Sequence, residues 1–207
     1  PDRPRAAEAL TRRRGAAVDR AILAAMDDPA PEIRAGALTA LMARSVPVPK
    51  DHIVRMATSE TGPAGKAALT TLRQVGQAED VGALIGALLK APEAERDAFS
   101  EAIVAIARRH SAGATHVVQS LRKASDPADR AALLACAGQI GGPEVLSVLV
   151  EAAGDTDANI QVTALRALSE WPTVEPMETL LKTARTHPNA RARAVALRGY
   201  LRMLRMP

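Results

Sequence analysis

A short apolar pattern returns along this chain about every 31 residues, and a period of that size restricts the fold more than any other feature. The segments AGALTAL, KAALTTL, SEAIVAI, AALLACA, VTALRAL and AVALRGY align on Leu38, Leu69, Ile103, Leu134, Leu165 and Leu197, at spacings of 31, 34, 31, 31 and 32 residues. Ala37, Ala68, Ala102, Leu133, Ala164 and Ala196 precede these anchors, and Leu41, Leu72, Ile106, Ala137, Leu168 and Tyr200 follow them by three. A unit this small cannot bury its apolar face alone. Stacking such units completes a shared core and leaves a long surface on which partners can be held.

Each unit reads as two helices. The second lies about 15 residues beyond the first at helical periodicity, with Ile53, Leu84, Val118, Leu149 and Leu180 as equivalents. Apolar residues recur there every three or four positions, as in Val81, Leu84, Ile85 and Leu88, which is the period of an amphipathic helix. No stretch alternates apolar and polar residues long enough to build a sheet. Turn chemistry separates the helices. Pro31, Pro63, Pro92, Pro127 and Pro188 stand at helix starts, where a missing N–H costs nothing. Asp126 is placed to cap the helix opening at Pro127, and Gly141-Gly142-Pro143 breaks one pair. The expected units are 31–58, 62–91, 92–124, 126–155 and 157–187, with partial units at 4–26 and 189–205, in one array over 1–207. Neither end shows the polar cap that arrays normally carry, so a fragment of a longer protein is expected.

These residues resemble HEAT repeats. Asp28-Pro29-Ala30-Pro31-Glu32-Ile33-Arg34 leading into Ala37-Leu38 and Leu41 is similar to that family's Asp, Pro, aliphatic, Arg and Ala-Leu pattern. Asp155 with Ile160 and Ala164-Leu165 is similar, with Gln161 in place of the Arg. His187 with Arg193 keeps the Arg and loses the Asp, and Asp126-Pro127 with Arg130 has a shortened spacing. The resemblance implies an all-α, right-handed α-solenoid of about five to six HEAT-type helical hairpins. It also implies an Asp–Arg contact between adjacent units, carried over only for Asp28 and Arg34. The Trp, Gly and Tyr positions of a tetratricopeptide repeat and the TPLH-like turn of ankyrin are missing, and a 31-residue period leaves no room for an armadillo third helix. The ending Ala196-Leu197-Arg198-Gly199-Tyr200-Leu201 also looks like HEAT arrays in large multidomain bacterial proteins, some of them exported.

Catalytic constellations are not legible. His52, His110, His116 and His187 fall in different segments, and two imidazoles without a third ligand make a poor metal site. Gly141-Gly142 lacks the spacing and the following Lys of a phosphate loop. Glu93, Glu95, Asp97 and Glu101 gather at a helix start, where the dipole favours acids without any catalysis. Cys136 is the single cysteine, so no disulfide forms within the chain and a core thiol is expected. No run approaches the length of a membrane span. No cofactor is implied.

Charge is the one asymmetry. The formal charge is +4, yet beyond Glu178 there is no acid, while Lys182, Arg185, Arg191, Arg193, Arg198, Arg202 and Arg205 are all basic. On a helix Arg191, Arg198, Arg202 and Arg205 fall within about 60° at 3.6 residues per turn. That stripe is the candidate partner-binding feature, because guanidinium groups pair with carboxylates or phosphates. Arg12-Arg13-Arg14 is a second basic cluster. Trp171, before Pro172, is either a plug over a turn or an exposed anchor. The expected function is therefore a non-catalytic scaffold that holds a protein or a neighbouring domain. Two rivals follow from the resemblance: a nucleic-acid-binding DNA glycosylase-like protein, which needs an acid beside aromatic rings, and a bilin lyase-like protein, which needs a polar pocket. Phe99, Trp171 and Tyr200 are the only aromatic residues, too few for a base-stacking platform.

Overall fold

The computed structural model describes residues 15–206, and every regular element among them is helical. Arg12-Arg13-Arg14 and most of the first half of the expected partial unit at 4–26 lie outside the described residues. The chain divides into two compact units, Pro1–Ala102 and Ile103–Pro207. The division falls inside a helix, so no linker composition marks it.

In the first unit, α1 (Ala16–Ala24) runs into a 3-10 turn, Ala25–Asp27. It is followed by α2 (Pro31–Ala43), α3 (Lys50–Ser59), α4 (Gly62–Val75) and α5 (Val81–Lys90). Helix α6 (Glu93–Arg109) begins here and ends in the second unit. The second unit continues with α7 (Ser111–Lys123), α8 (Pro127–Ile140), α9 (Pro143–Ala152), α10 (Ala158–Ser169), α11 (Met177–Thr186) and α12 (Ala190–Met203). Packing follows the repeat. First helices stack on first helices, α2 on α4 and α8 on α10 on α12. Second helices stack on second helices, α3 on α5 and α7 on α9. This is the layering of an α-solenoid.

The periodic residues build the core. The anchors Leu38, Ile103, Leu134 and Leu165 are fully buried, as are Leu84, Leu149 and Leu180 of the second helices, and Leu69, Ile53 and Val118 are nearly so. Each buried leucine contributes about 1.5–3 kcal/mol of transfer free energy. Cys136 is buried among them. Small residues let the first helices approach closely. A Cβ on Gly138 would stand 2.5 Å from the Ala167 Cβ, and one on Gly199 would stand 2.3 Å from the Ser169 Oγ.

Helix starts follow the turn chemistry. Pro31, Pro63, Pro127 and Pro143 occupy the first helical positions. The Asp126 carboxylate accepts from the N–H groups of Ala128 and Asp129 at 2.8 and 3.0 Å, and Asp157 and Asn189 cap α10 and α12 in the same way. Gly141 and Gly142 turn with φ of 85° and 96°, a region open to glycine.

The Asp28–Arg34 contact takes another form. The Arg34 guanidinium donates to the backbone carbonyls of Asp28 and Pro29 and pairs with Glu60, Nε to Oε2 at 3.0 Å. The Asp28 carboxylate turns back to accept from the Ala30 N–H at 2.8 Å. The reason is reach: the carbonyl six residues back lies directly under the side chain at this position. The same bond recurs with other chemistry. Gln161 donates to the Asp155 carbonyl, and Arg193 donates to the His187 carbonyl at 2.8 Å. His187 Nδ1 replaces the aspartate oxygen by accepting from the Asn189 N–H at 3.1 Å. An Asp–Arg pair does form between Asp155 and Arg130, at the two ends of the expected unit 126–155.

Candidate partner-binding face

Helix α12 carries Arg191, Arg198 and Arg202 of the basic stripe, with Arg205 in the turn just past its end, and its capping and packing decide what each arginine does. Asn189 starts the helix. Ala192, Ala196, Gly199 and Met203 form the buried side and seat it on α10 and α11. At Gly199 the backbones of α10 and α12 come close enough for the Ser169 hydroxyl to donate to the Val195 carbonyl at 3.1 Å.

The four arginines of the stripe separate into two groups. Arg202 is committed within the chain. Its Nε donates to the Ser169 carbonyl at 2.7 Å and its Nη2 to the Trp171 carbonyl. These carbonyls close α10, where the last C=O groups lack helical partners and where a cation meets the negative end of the dipole. Arg191, Arg198 and Arg205 are exposed. They recur every seven residues, and their side chains make no hydrogen bond or ion pair with another described residue.

Trp171 is 2% exposed, packed inside the turn between α10 and α11. Its Nε1–H donates to Glu175 Oε2 at 3.1 Å, and the Thr173 hydroxyl donates to the same oxygen at 2.7 Å. The Thr173 and Trp171 donors together hold the Glu175 carboxyl below the usual glutamate range. An acid therefore stands beside an aromatic ring, but the ring face is covered and cannot stack on a base. The indole is a plug in the turn and does not project as an anchor. Phe99 is buried and Tyr200 half-buried.

A feature not anticipated from the sequence lies beside the arginine row. Leu197, Leu201 and Leu204 are 47%, 48% and 56% exposed, and with Ala194 they recur at intervals of three and four residues. Leu197 is the sixth anchor of the repeat. The other five are buried, whereas Leu197 is about half exposed. The signal was present in the sequence, since Leu197, Leu201 and Leu204 share one helical face, but the repeat alignment assigned Leu197 to the core.

Elsewhere the polar groups serve packing. A cleft of about 610 Å³ in the second unit is lined by Arg108, Arg109, Ser111, Thr115, Glu144 and neighbours. Thr115 donates to Glu144 at 3.1 Å, and Arg108 donates to the Gln139 carbonyl at 2.8 Å. Lys50 bridges Glu79 and Asp80, with the Glu79 hydrogen bond the main reason its ammonium is held above the ordinary lysine value. The Asp155 carboxyl is held below the ordinary aspartate value, first by the Asp157 N–H and then by Arg130. Among the described residues no three His, Cys, Asp or Glu side chains converge as a metal site would require, and no helix is long and apolar enough to cross a membrane.

Residues 114–200 match the family model for HEAT repeats. Among solved structures, an engineered protein is similar at 18% identity and a TM-score of 0.44, covering 90% of this chain and 96% of its own. A designed armadillo repeat protein is similar at 14% identity and a TM-score of 0.38, covering 95% of this chain and 98% of its own. No curated protein matches the sequence.

Proposed function

We infer that this HEAT-repeat protein is a non-catalytic interaction module that holds a protein partner, or a neighbouring domain of the same polypeptide, on the exposed face of α12. Repeat arrays of this kind act as interaction scaffolds by presenting extended surfaces. The observation that carries the reading is the row Arg191, Arg198 and Arg205: three exposed guanidinium groups without an acceptor among the described residues, on a segment free of acids after Glu178. A solvated arginine face explains charge alone. It does not explain why apolar side chains stand exposed along the same row.

The test is affinity capture from a lysate, with and without nuclease. The comparison protein carries Arg191→Glu, Arg198→Glu and Arg205→Glu and leaves Arg202 in place, because Arg202 holds α12 to α10. A defined protein retained with and without nuclease, and lost in the triple variant, is the expected result. Retention that disappears with nuclease overturns the reading in favour of nucleic acid, whose phosphate contacts would also show a steep salt dependence.

A further inference from the structure

Two seams between neighbouring turns, one in each compact unit, share a register and differ in charge. In the first unit the Lys50 ammonium reaches across to Glu79 at 2.8 Å and Asp80 at 3.2 Å. The Asp80 carboxylate also accepts from the Gln77 N–H at 2.8 Å. Moved forward by the 65 residues that separate Ile53 from Val118 and Leu84 from Leu149, the positions Lys50, Gln77, Glu79 and Asp80 become Thr115, Gly142, Glu144 and Val145. The bridge survives only as a hydroxyl, Thr115 donating to Glu144 at 3.1 Å. A buried valine stands where Asp80 stands in the first unit. Nothing among the described residues accepts from the Gly142 N–H, so the acceptor that the first unit supplies from its own chain has no counterpart in the second.

The cleft of about 610 Å³ opens at this second seam, wholly within the second unit, and its size suits a small-molecule ligand. Gly142, Thr115 and Glu144 line it together with Arg108, Arg109 and Ser111. Arg108 is fixed by one bond, its Nε donating to the Gln139 carbonyl at 2.8 Å, and its two terminal amino groups donate to no other described residue. The bonds that tie the cleft walls thus leave a guanidinium edge and a backbone N–H without an acceptor among the described residues. The first seam sets two carboxylates against one ammonium. The second sets two guanidinium groups against one carboxylate, which Thr115 already engages. Such an edge pairs with an oxyanion through parallel hydrogen bonds. We propose that this cleft binds a small ligand through a carboxylate or phosphate group, held by Arg108 and by the Gly142 N–H where the first unit uses the Asp80 carboxylate. An ammonium is the poorer occupant, because both arginines oppose it.

Amide spectra of the isotope-labelled protein, titrated at constant ionic strength with phenyl phosphate, benzoate and benzylamine, test this directly. The Gly142 amide is expected to shift and saturate with one or both anions and to stay in place with the amine. Saturation by phenyl phosphate alone assigns a phosphate and by benzoate alone a carboxylate, and either result supports the site. Arg108→Gln should weaken binding by at least about tenfold. Arg108→Lys keeps the charge but not the fork, and should recover only part of the loss. Arg198→Gln makes the same charge change on α12 and should leave binding unchanged. A Gly142 shift that grows without saturating, an equal response to benzylamine, or equal weakening by Arg198→Gln overturns the proposal. The titration of the unsubstituted protein decides first, so an Arg108 variant that failed to fold would not shelter it. The cleft lies apart from the arginines changed in the capture experiment, so neither result decides the other.

Discussion

Single residues in this protein act mainly through what lies within a few ångströms of one atom. At Gly199 an added Cβ would meet the Ser169 hydroxyl at 2.3 Å and its Cα at 2.7 Å, whereas at Gly36, inside α2, nothing lies within 4 Å. The same substitution should therefore have opposite signs. Gly199→Ala forces α12 away from α10 and should destabilise by about 1–3 kcal/mol. Gly36→Ala removes backbone freedom from the unfolded chain and should stabilise by about 0.5–1 kcal/mol. Urea midpoints for the two variants check this, and equal shifts would contradict the close approach. Asp155 gives a pH prediction. Its folded-state value lies below the ordinary 3.8, so its contribution is complete above that value and disappears as pH falls through the lower, folded one. Asp155→Asn should lose less stability than the parent as pH falls below about 4, measured as the pH dependence of the melting temperature.

At the scale of an element, α12 shows how one helix divides its faces among different tasks. Alanine and glycine seat it, Arg202 ties it to the end of α10, and the leucine and arginine rows remain outward. Arg202→Ala should leave the fold intact, weaken the docking of α12 by about 1 kcal/mol, and raise amide hydrogen exchange in α12 well above that in α8. Arg198→Ala, which removes no bond to another described residue, should leave exchange unchanged. Similar exchange in the two variants would show that the Ser169 and Trp171 carbonyls do not hold this helix. The pattern read from the residues expected all four arginines on one helix and treated them as equivalent, whereas α12 ends at Met203 and leaves Arg205 in the turn beyond it. Arg202 differs only because the carbonyls of a helix about thirty residues away lie within its reach.

For the whole molecule, stability in a repeat array is a sum of units and nearest-neighbour interfaces, so damage should stay local. Trp171, the single tryptophan, reports on the second unit, while far-ultraviolet circular dichroism reports on every helix. Leu165→Ala empties a fully buried site at a cost of about 2–5 kcal/mol. It should lower the denaturation midpoint seen by Trp171 fluorescence more than the midpoint seen by circular dichroism. Coincident shifts would instead mean that the chain unfolds as one cooperative body.

The repeat spacing by itself determined the helical pairs, their caps at Asp126 and the buried anchors from Leu38 to Leu165, because periodicity and turn chemistry are local properties that every stacked unit must satisfy. Tertiary structure alone decided the rest. A pattern tells which side of a helix is apolar but not whether a neighbour covers it, so Leu197 reads as core and stands half in water. Nor does it tell which acceptors come within reach of a long side chain or what closes over a ring. Arg202 was therefore legible only as part of a stripe, and the burial of Trp171 only as one of two choices.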